Sequence, residues 1–329
     1  MKKIDASNYS IWVGEESLSK LEVKSYSKVA ILVDENTKKY CLNKIPKIDQ
    51  AIIIEIPSGE KNKNINTCNL IWKKLTHHAF DRNSILINLG GGVIGDIGGF
   101  CASAYKRGID FIHIPTTLLA MADASIGGKV AVNFENFKNQ IGLFANPKSV
   151  LIDTSFLNTL PEIELRSGFA EIVKHALISD KDLWNTIIDT PFQNLNWQDM
   201  IQLSVELKNK ITLNDPKENN ERKKLNFGHT FGHAIESYYL KKRTPILHGQ
   251  AIFIGMILEA EISNLSKTEK NEIKNYILSN FSLPYRPSKE KLLFFLQNDK
   301  KNNNEKINFS LLNGIGNCTI DNLFFENEL

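Results

Sequence analysis

Four short apolar runs, KVAILVD (28–34), AIIIEIP (51–57), SILINLGGG (84–92) and FIHIPTT (111–117), punctuate the first half of the chain, with helical patterns between them. Strands that are apolar on both faces must be covered on both faces, which is the habit of a parallel sheet flanked by helices. KSVLIDTSFLNTLP adds one more strand. From Pro161 onward the apolar residues recur at helical spacing, through FAEIVKHALI, MIQLSVELKNKITL, GQAIFIGMILEAEIS and KEKLLFFLQ. The pattern predicts an α/β domain with a mostly parallel sheet over residues 1–157 and an all-α domain over 158–329. Thr159, Pro161 and Glu162 have the order of a helix start: a capping hydroxyl, a proline in the first turn and a glutamate three residues after the cap. Two polar segments, SNLSKTEKNE (263–272) and KKNNNEK (300–306), read as connectors.

Composition narrows the function. With 40 basic and 37 acidic side chains the formal charge is +3, too near balance for a nucleic-acid binder, so any anion recognition must be local. Cys41, Cys68, Cys101 and Cys318 form no C-x-x-C pair, which argues against a zinc ribbon or a disulfide framework and for reduced thiols in cytoplasm. The opening MKKIDASNYSIWVGEE lacks the apolar stretch of a signal peptide, and no run is long enough to span a membrane.

NLGGGVIGDIGGF (88–100) follows a strand and enters a helix. Glycines there let backbone N–H groups and the positive end of the helix approach a diphosphate. The spacing is not the common G-x-G-x-x-G, and Asp96 is out of place at a phosphate turn unless it serves a ribose, a nicotinamide or a substrate hydroxyl. Asp34 and Glu60, on loops after strand ends, are candidates for ribose hydroxyls, and Lys63 for a phosphate. Thr116, Thr117, Asp123, Lys129, Lys138 and Asn139 crowd the segment 115–142 with the donors a phosphorylated ligand needs. Glu171 and Lys174, three apart in FAEIVKH, read by default as a surface ion pair.

HTFGH (229–233) has the histidine spacing of a metalloprotease helix but threonine where that helix has its general base. Zinc accepts imidazole and carboxylate together, and a catalytic site takes three protein ligands. Glu171, one histidine of HTFGH and His248 of LHG would complete such a set; spacing does not choose between His229 and His233.

In chain order, GGGVIGDIGGF, YKRG, PTTLLAMADASIGGK, FAEIVKH, LNFGHTFGHAIE and LHG resemble the 3-dehydroquinate synthases of the sugar phosphate cyclase superfamily, over most of the sequence from Asp34 onward. The resemblance implies a dehydroquinate synthase-like fold, with a Rossmann-like NAD-binding domain and a helical metal- and substrate-binding domain. It implies NAD⁺ and one divalent metal, zinc or else cobalt, with Glu171, His229 and His248 as ligands. Cofactor contacts carried over by motif are Asp34, Asn36, Ser58, Gly59, Glu60, Lys63, Gly91, Gly92, Val93, Gly95, Asp96, Thr116, Thr117, Lys129, Lys138, Phe156, Leu157, Asn158 and Thr159. Substrate-side and catalytic residues are Asp123, Lys129, Asn139, Lys174, Lys208, Arg222, Asn226, His233 and Lys300. Arg107 of YKRG would reach a neighbouring subunit, making a homodimer.

The implied substrate is a phosphorylated seven-carbon sugar acid, 3-deoxy-D-arabino-heptulosonate 7-phosphate. The implied reaction is transient oxidation at C5, loss of phosphate, re-reduction and aldol closure, with no net redox change. Phe137, Gln250 and Pro216 depart from the family pattern, the first two beside proposed contacts. Another sugar phosphate cyclase is the nearest alternative. A metal-dependent glycerol or alcohol dehydrogenase has no use for the cations at Lys129, Arg222 and Lys300, and a degenerate nucleotide-binding scaffold would be expected to have lost a metal ligand.

Overall fold

The computed structural model describes residues 1–135, 137–297, 306–325 and 328. They form two compact units, Met1–Pro161 with Trp197–Asn209, and Glu162–Asn196 with Lys210–Leu329. Among the described residues no helix is long and apolar enough to cross a membrane.

The first unit is built on a seven-stranded sheet. Its strands are β1 (Lys2–Asp5), β2 (Ser10–Val13), β3 (Val29–Val33), β4 (Ile52–Glu55), β5 (Ile85–Gly90), β6 (Asp110–Pro115) and, after the separate hairpin of β7 (Lys129–Phe134) and β8 (Phe137–Phe144), β9 (Ser149–Ile152). The order is β1-β2-β9-β6-β5-β3-β4, parallel throughout except for the antiparallel pair β1 and β2. Every residue of β3 and β5 is buried, as continuous apolar runs require, whereas β4 at the sheet edge is half-exposed. Helices α1 (Glu35–Tyr40), α2 (Ile65–His77) and α3 (Gly92–Ala104) follow β3, β4 and β5. Ile71 and Leu75 of α2 and Ile97 and Cys101 of α3 share one core with Leu32 and Leu86.

Because the central strands are parallel and in register, their carboxyl ends gather on one edge of the sheet. Asp34, Gly91, Thr116 and Asp153 directly follow strand ends there, and Ser58 lies three residues beyond the end of β4. This is the edge at which open α/β sheets bind ligands. After β6 the chain makes a π-turn, Ala120–Ala124, and then the β7–β8 hairpin. The helix start expected at Thr159 is displaced. Thr159 instead closes the 3₁₀ segment Thr154–Thr159, bonding its hydroxyl to the Phe156 carbonyl at 3.3 Å, and the next helix begins at Glu162.

The second unit is helical: α4 (Glu162–Ser179), α5 (Lys181–Asp189), the end of α6 (Trp197–Asn214), α7 (His229–Lys241), α8 (His248–Ile262), α9 (Lys267–Asn280) and α10 (Lys289–Gln297). It also holds a hairpin that the periodicity did not reveal, β10 (Ile307–Leu312) with β11 (Cys318–Phe324). Phe309 and Leu311 of that hairpin pack with Phe231 and Ile235 of α7, Ile254 and Leu258 of α8, and Leu292 of α10.

Candidate active site

In the second unit three helices converge through contacts only glycine permits. A Cβ on Gly255 of α8 would stand 1.9 Å from the Gly228 carbonyl oxygen just before α7, and one on Gly249 would stand 2.0 Å from the Ser167 carbonyl oxygen of α4. With hydrogen in place of Cβ, α8 lies directly on both neighbours. Gly249 also donates its N–H to Ser167 Oγ at 3.0 Å, fixing the first turn of α8 on α4.

That packing brings together Glu171 of α4, His229 at the start of α7 and His248 at the start of α8. Glu171 Oε1 lies 3.5 Å from His229 Nε2 and 3.3 Å from His248 Nε2, and one donor atom from each residue lies within 4.8 Å of the others. The far side of each ring is also held. His229 Nδ1 is 3.2 Å from the Phe227 carbonyl oxygen and His248 Nδ1 is 3.4 Å from Glu236 Oε1. With each Nδ1 directed at an oxygen, both Nε2 atoms are turned toward Glu171, where deprotonation would leave them free to bind an ion. One carboxylate and two imidazoles oriented by outer partners fit a divalent ion such as zinc. His233 sits one turn along α7, its ring centroid 5.2 Å from that of His229 and 6.4 Å from that of His248.

The expectation of a surface pair at Glu171 and Lys174 is overturned: the two residues are 0% and 1% exposed and in direct contact. Lys174 Nζ holds Oε2 of Glu171, which leaves Oε1 for the histidines. For His248, burial opposes the charged ring, but Glu236 and Glu171 outweigh it and push its pKa up to about 10. A bound cation reverses that logic, since a ligating imidazole must be deprotonated at the ligating nitrogen.

Elsewhere in this unit Arg222 is buried, donating from Nη1 to the Pro216 carbonyl at 2.7 Å. Asp215 organises that loop by accepting the N–H groups of Asn219, Asn220 and Arg222 at 3.0, 2.7 and 3.1 Å. Asn226 Nδ2 donates to Glu218 at 2.8 Å. Gln250 keeps a capping role despite its departure from the family pattern: Oε1 accepts the Leu247 N–H at 3.2 Å, and Nε2 donates to the Ser282 carbonyl, as no carboxylate can. Lys300 lies outside the described residues.

In the first unit Asp96 of α3 finds its counter-ion in Lys63, which also donates to Asn139 Oδ1 at 2.5 Å. Burial pushes the Asp96 carboxyl above its ordinary range, and Lys63 pulls it back. Asp123, on the π-turn, pairs with Lys208 of α6 at 2.8 Å; π-turns recur at functional sites. Asp34 caps α1, accepting the Thr37 N–H at 2.8 Å, and Thr117 Oγ1 accepts the Ala120 N–H at 3.2 Å. Ser58 is tied through its N–H and hydroxyl to Glu35, at 3.0 and 2.6 Å. Gly91 precedes α3, whose first turn carries Gly92, Val93 and Gly95. Asn36 lies in the first turn of α1, and Gly59, Glu60 and Thr116 follow strand ends at the same sheet edge, as do Phe156, Leu157 and Asn158 of the 3₁₀ segment. Lys129 and Lys138 extend from the hairpin with their side chains exposed, as does Phe137. Arg107 is exposed and left-handed at φ 68°.

Four residues escaped the sequence reading: Glu35, Asn133, Glu236 and Glu259. Their types carry no signal by themselves, and their partners lie on other elements. Only Glu236, closing LNFGHTFGHAIE one turn beyond His233, offered a spacing clue.

Comparison with known proteins places these features in a family. Residues 53–167 match the 3-dehydroquinate synthase N-terminal family and residues 168–302 the 3-dehydroquinate synthase C-terminal family. The chain is 38% identical to the 3-dehydroquinate synthase of Parabacteroides distasonis, over 90% of this chain and 87% of that protein. It is 40% identical to that of a Nitratiruptor species, over 100% and 95%. Among solved structures it resembles 2-deoxy-scyllo-inosose synthase complexed with carbaglucose-6-phosphate, NAD⁺ and Co²⁺, with a TM-score of 0.87 and 25% identity over 98% of this chain and 95% of that one.

Proposed function

This chain belongs to the 3-dehydroquinate synthase family of sugar phosphate cyclases, and we propose that its own substrate is 3-deoxy-D-arabino-heptulosonate 7-phosphate, converted to 3-dehydroquinate and phosphate. The activity is that of an NAD- and metal-dependent cyclase, a lyase acting on a carbon–oxygen bond. The observation that carries the reading is the convergence of Glu171, His229 and His248 beside buried Lys174. The related 2-deoxy-scyllo-inosose synthase, solved with NAD⁺, Co²⁺ and a sugar phosphate analogue, supports the same ligand classes here.

When bound, NAD⁺ would supply reversible hydride acceptance at C5 and the divalent ion would supply Lewis acidity toward the oxygen there. Glu171, His229 and His248 would hold the ion; the oxygen and nitrogen donor set favours zinc. Asp34, Asn36, Ser58 to Lys63, the Gly91 to Asp96 turn, Thr116, Thr117 and the Phe156 to Thr159 segment bind the cofactor. Lys174, Arg222, Lys129 and Lys300 neutralise the substrate's carboxylate and phosphate, with Asn139 and Asn226 as neutral donors. Asp123, set by Lys208, orients a substrate hydroxyl. His233 gives a proton to the ester oxygen as phosphate departs. By the family resemblance Arg107, which is exposed, would reach the second copy of a homodimer, and the four buried free thiols suit the cytoplasm.

The test is phosphate release from several sugar phosphates. Release from the heptulosonate phosphate alone, at catalytic NAD⁺ and abolished by chelator, is expected. Turnover of a different sugar phosphate would move the chain to another cyclase activity, and steady NADH formation from a simple alcohol would indicate a dehydrogenase.

A further inference from the structure

The β7–β8 ladder loses its register between Val132 and Phe134, so Asn133 stands at an irregularity in the strand. Such bulges re-aim a side chain beside a site. Here the backbone N–H of Asn133 leaves the hairpin and donates to the Lys63 carbonyl at 2.8 Å. The side chain bonds in both directions. Nδ2 donates to Glu60 Oε1 at 2.9 Å and to the Glu60 carbonyl at 3.3 Å, and Oδ1 accepts the Asn139 N–H at 2.8 Å. The amide orientation is fixed by its partners, because a backbone N–H only donates and a carboxylate only accepts.

Asn139 is held by this bond in left-handed backbone, φ 51°, and its Oδ1 in turn accepts from Lys63 Nζ, which contacts Asp96. Lys63 closes the ring by donating its N–H to the Glu60 carbonyl at 3.1 Å. One asparagine thus joins the turn that carries Glu60 and Lys63 to the strand that carries Asn139.

We propose that Asn133 is a positioning residue that couples cofactor binding to binding of the substrate's anion, by holding Glu60 and Lys63 in register with Asn139. The assignment of those three residues to cofactor and anion rests on the function proposed above. The coupling itself does not require a particular sugar. A phosphate that engages Asn139 or Lys63 shifts the same ring that presents Glu60 to the nucleotide, and by linkage the effect is reciprocal.

The experiment measures NAD⁺ affinity of the metal-loaded enzyme by calorimetry, with and without inorganic phosphate, in wild type, Asn133→Ala and Asn133→Ser. In wild type, saturating phosphate changes the NAD⁺ dissociation constant by about fivefold or more. In both variants the ratio falls below about twofold, and the KM for the sugar phosphate rises by about tenfold, with metal content unchanged. Asn133→Ser retains a small polar side chain and serves if the alanine variant fails to fold. Coupling that persists in a folded variant overturns the proposal, as does its absence from wild type. Coupling that is present and lost in the variants, in an enzyme that releases no phosphate from the heptulosonate phosphate, leaves the proposal standing and overturns the assigned substrate.

Discussion

The carboxylate of Glu259, wholly buried in α8, accepts the backbone N–H of Gly228 at 2.6 Å, and it also takes the N–H groups of Thr230 and Phe231 at 3.0 and 3.1 Å. A helix begins with N–H groups that have no partner inside the helix and carries a positive dipole end there. Glu259 satisfies both needs for α7 from a different helix, and so fixes where His229 stands.

Glu259→Gln keeps the size of the side chain but removes its charge and points an N–H₂ group at N–H donors. A loss of about 2–3 kcal/mol in urea unfolding is expected, from the greater strength of hydrogen bonds to charged acceptors. Reduced divalent-metal content in the purified protein should accompany it. Unchanged stability would show that α7 starts correctly without the carboxylate.

Glycine at the helix contacts makes a sharper demand. Gly255→Ala and Gly249→Ala each add a methyl where a carbonyl oxygen now lies 1.9 or 2.0 Å away, so one helix must move. Overpacking of this kind costs about 1–3 kcal/mol. Because the displaced helices carry the ligands, metal affinity measured by competition with a chromophoric chelator should fall in both variants.

Glu236 Oε1 lies 3.4 Å from Nδ1 of His248 and so orients that ring from its far side. Glu236→Gln should weaken metal binding by about 10–100-fold, the usual effect of losing an outer partner of a ligating histidine. The His229 ring is held from the backbone, by the Phe227 carbonyl.

His113, in the first unit, supplies a pH test. It lies in β6 opposite Asn88 of β5, with Nδ1 3.4 Å from Asn88 Nδ2, and burial pushes its pKa down from 6.5 to about 4. Between those values the unfolded chain binds more protons than the folded one. Its contribution is therefore complete above pH 6.5 and is lost progressively as pH falls toward 4. The full gap is worth about 3 kcal/mol. Replacing the ring by an amide in His113→Gln should flatten this part of the stability–pH curve, as read from urea midpoints.

Five strands of the sheet, β3, β4, β5, β6 and β9, were legible as short apolar runs, β3 and β5 being buried along their whole length; β1 and β2 carry no such run and were not. The β7–β8 hairpin was not, since β8, FKNQIGLF, is exposed along nearly all its length and no buried apolar run marks it. The metal donor types were visible in HTFGH and LHG, but the choice of His229 over His233 depends on which ring meets Glu171, a consequence of how α7 crosses α8. Glu236 and Glu259 read as ordinary helix carboxylates, and helix packing alone gives them their partners.

The glycine junction of α4, α7 and α8 also bears on how the protein is made. Each of the three donors comes from a different helix, and His248 is the last to leave the ribosome. A chain lacking α8 has neither the third donor nor the Glu259 that sets the second, so tight capture of an ion must wait until these helices have docked. Metal uptake should then be a late event in biogenesis, and a chain that has acquired its ion has already passed a structural inspection.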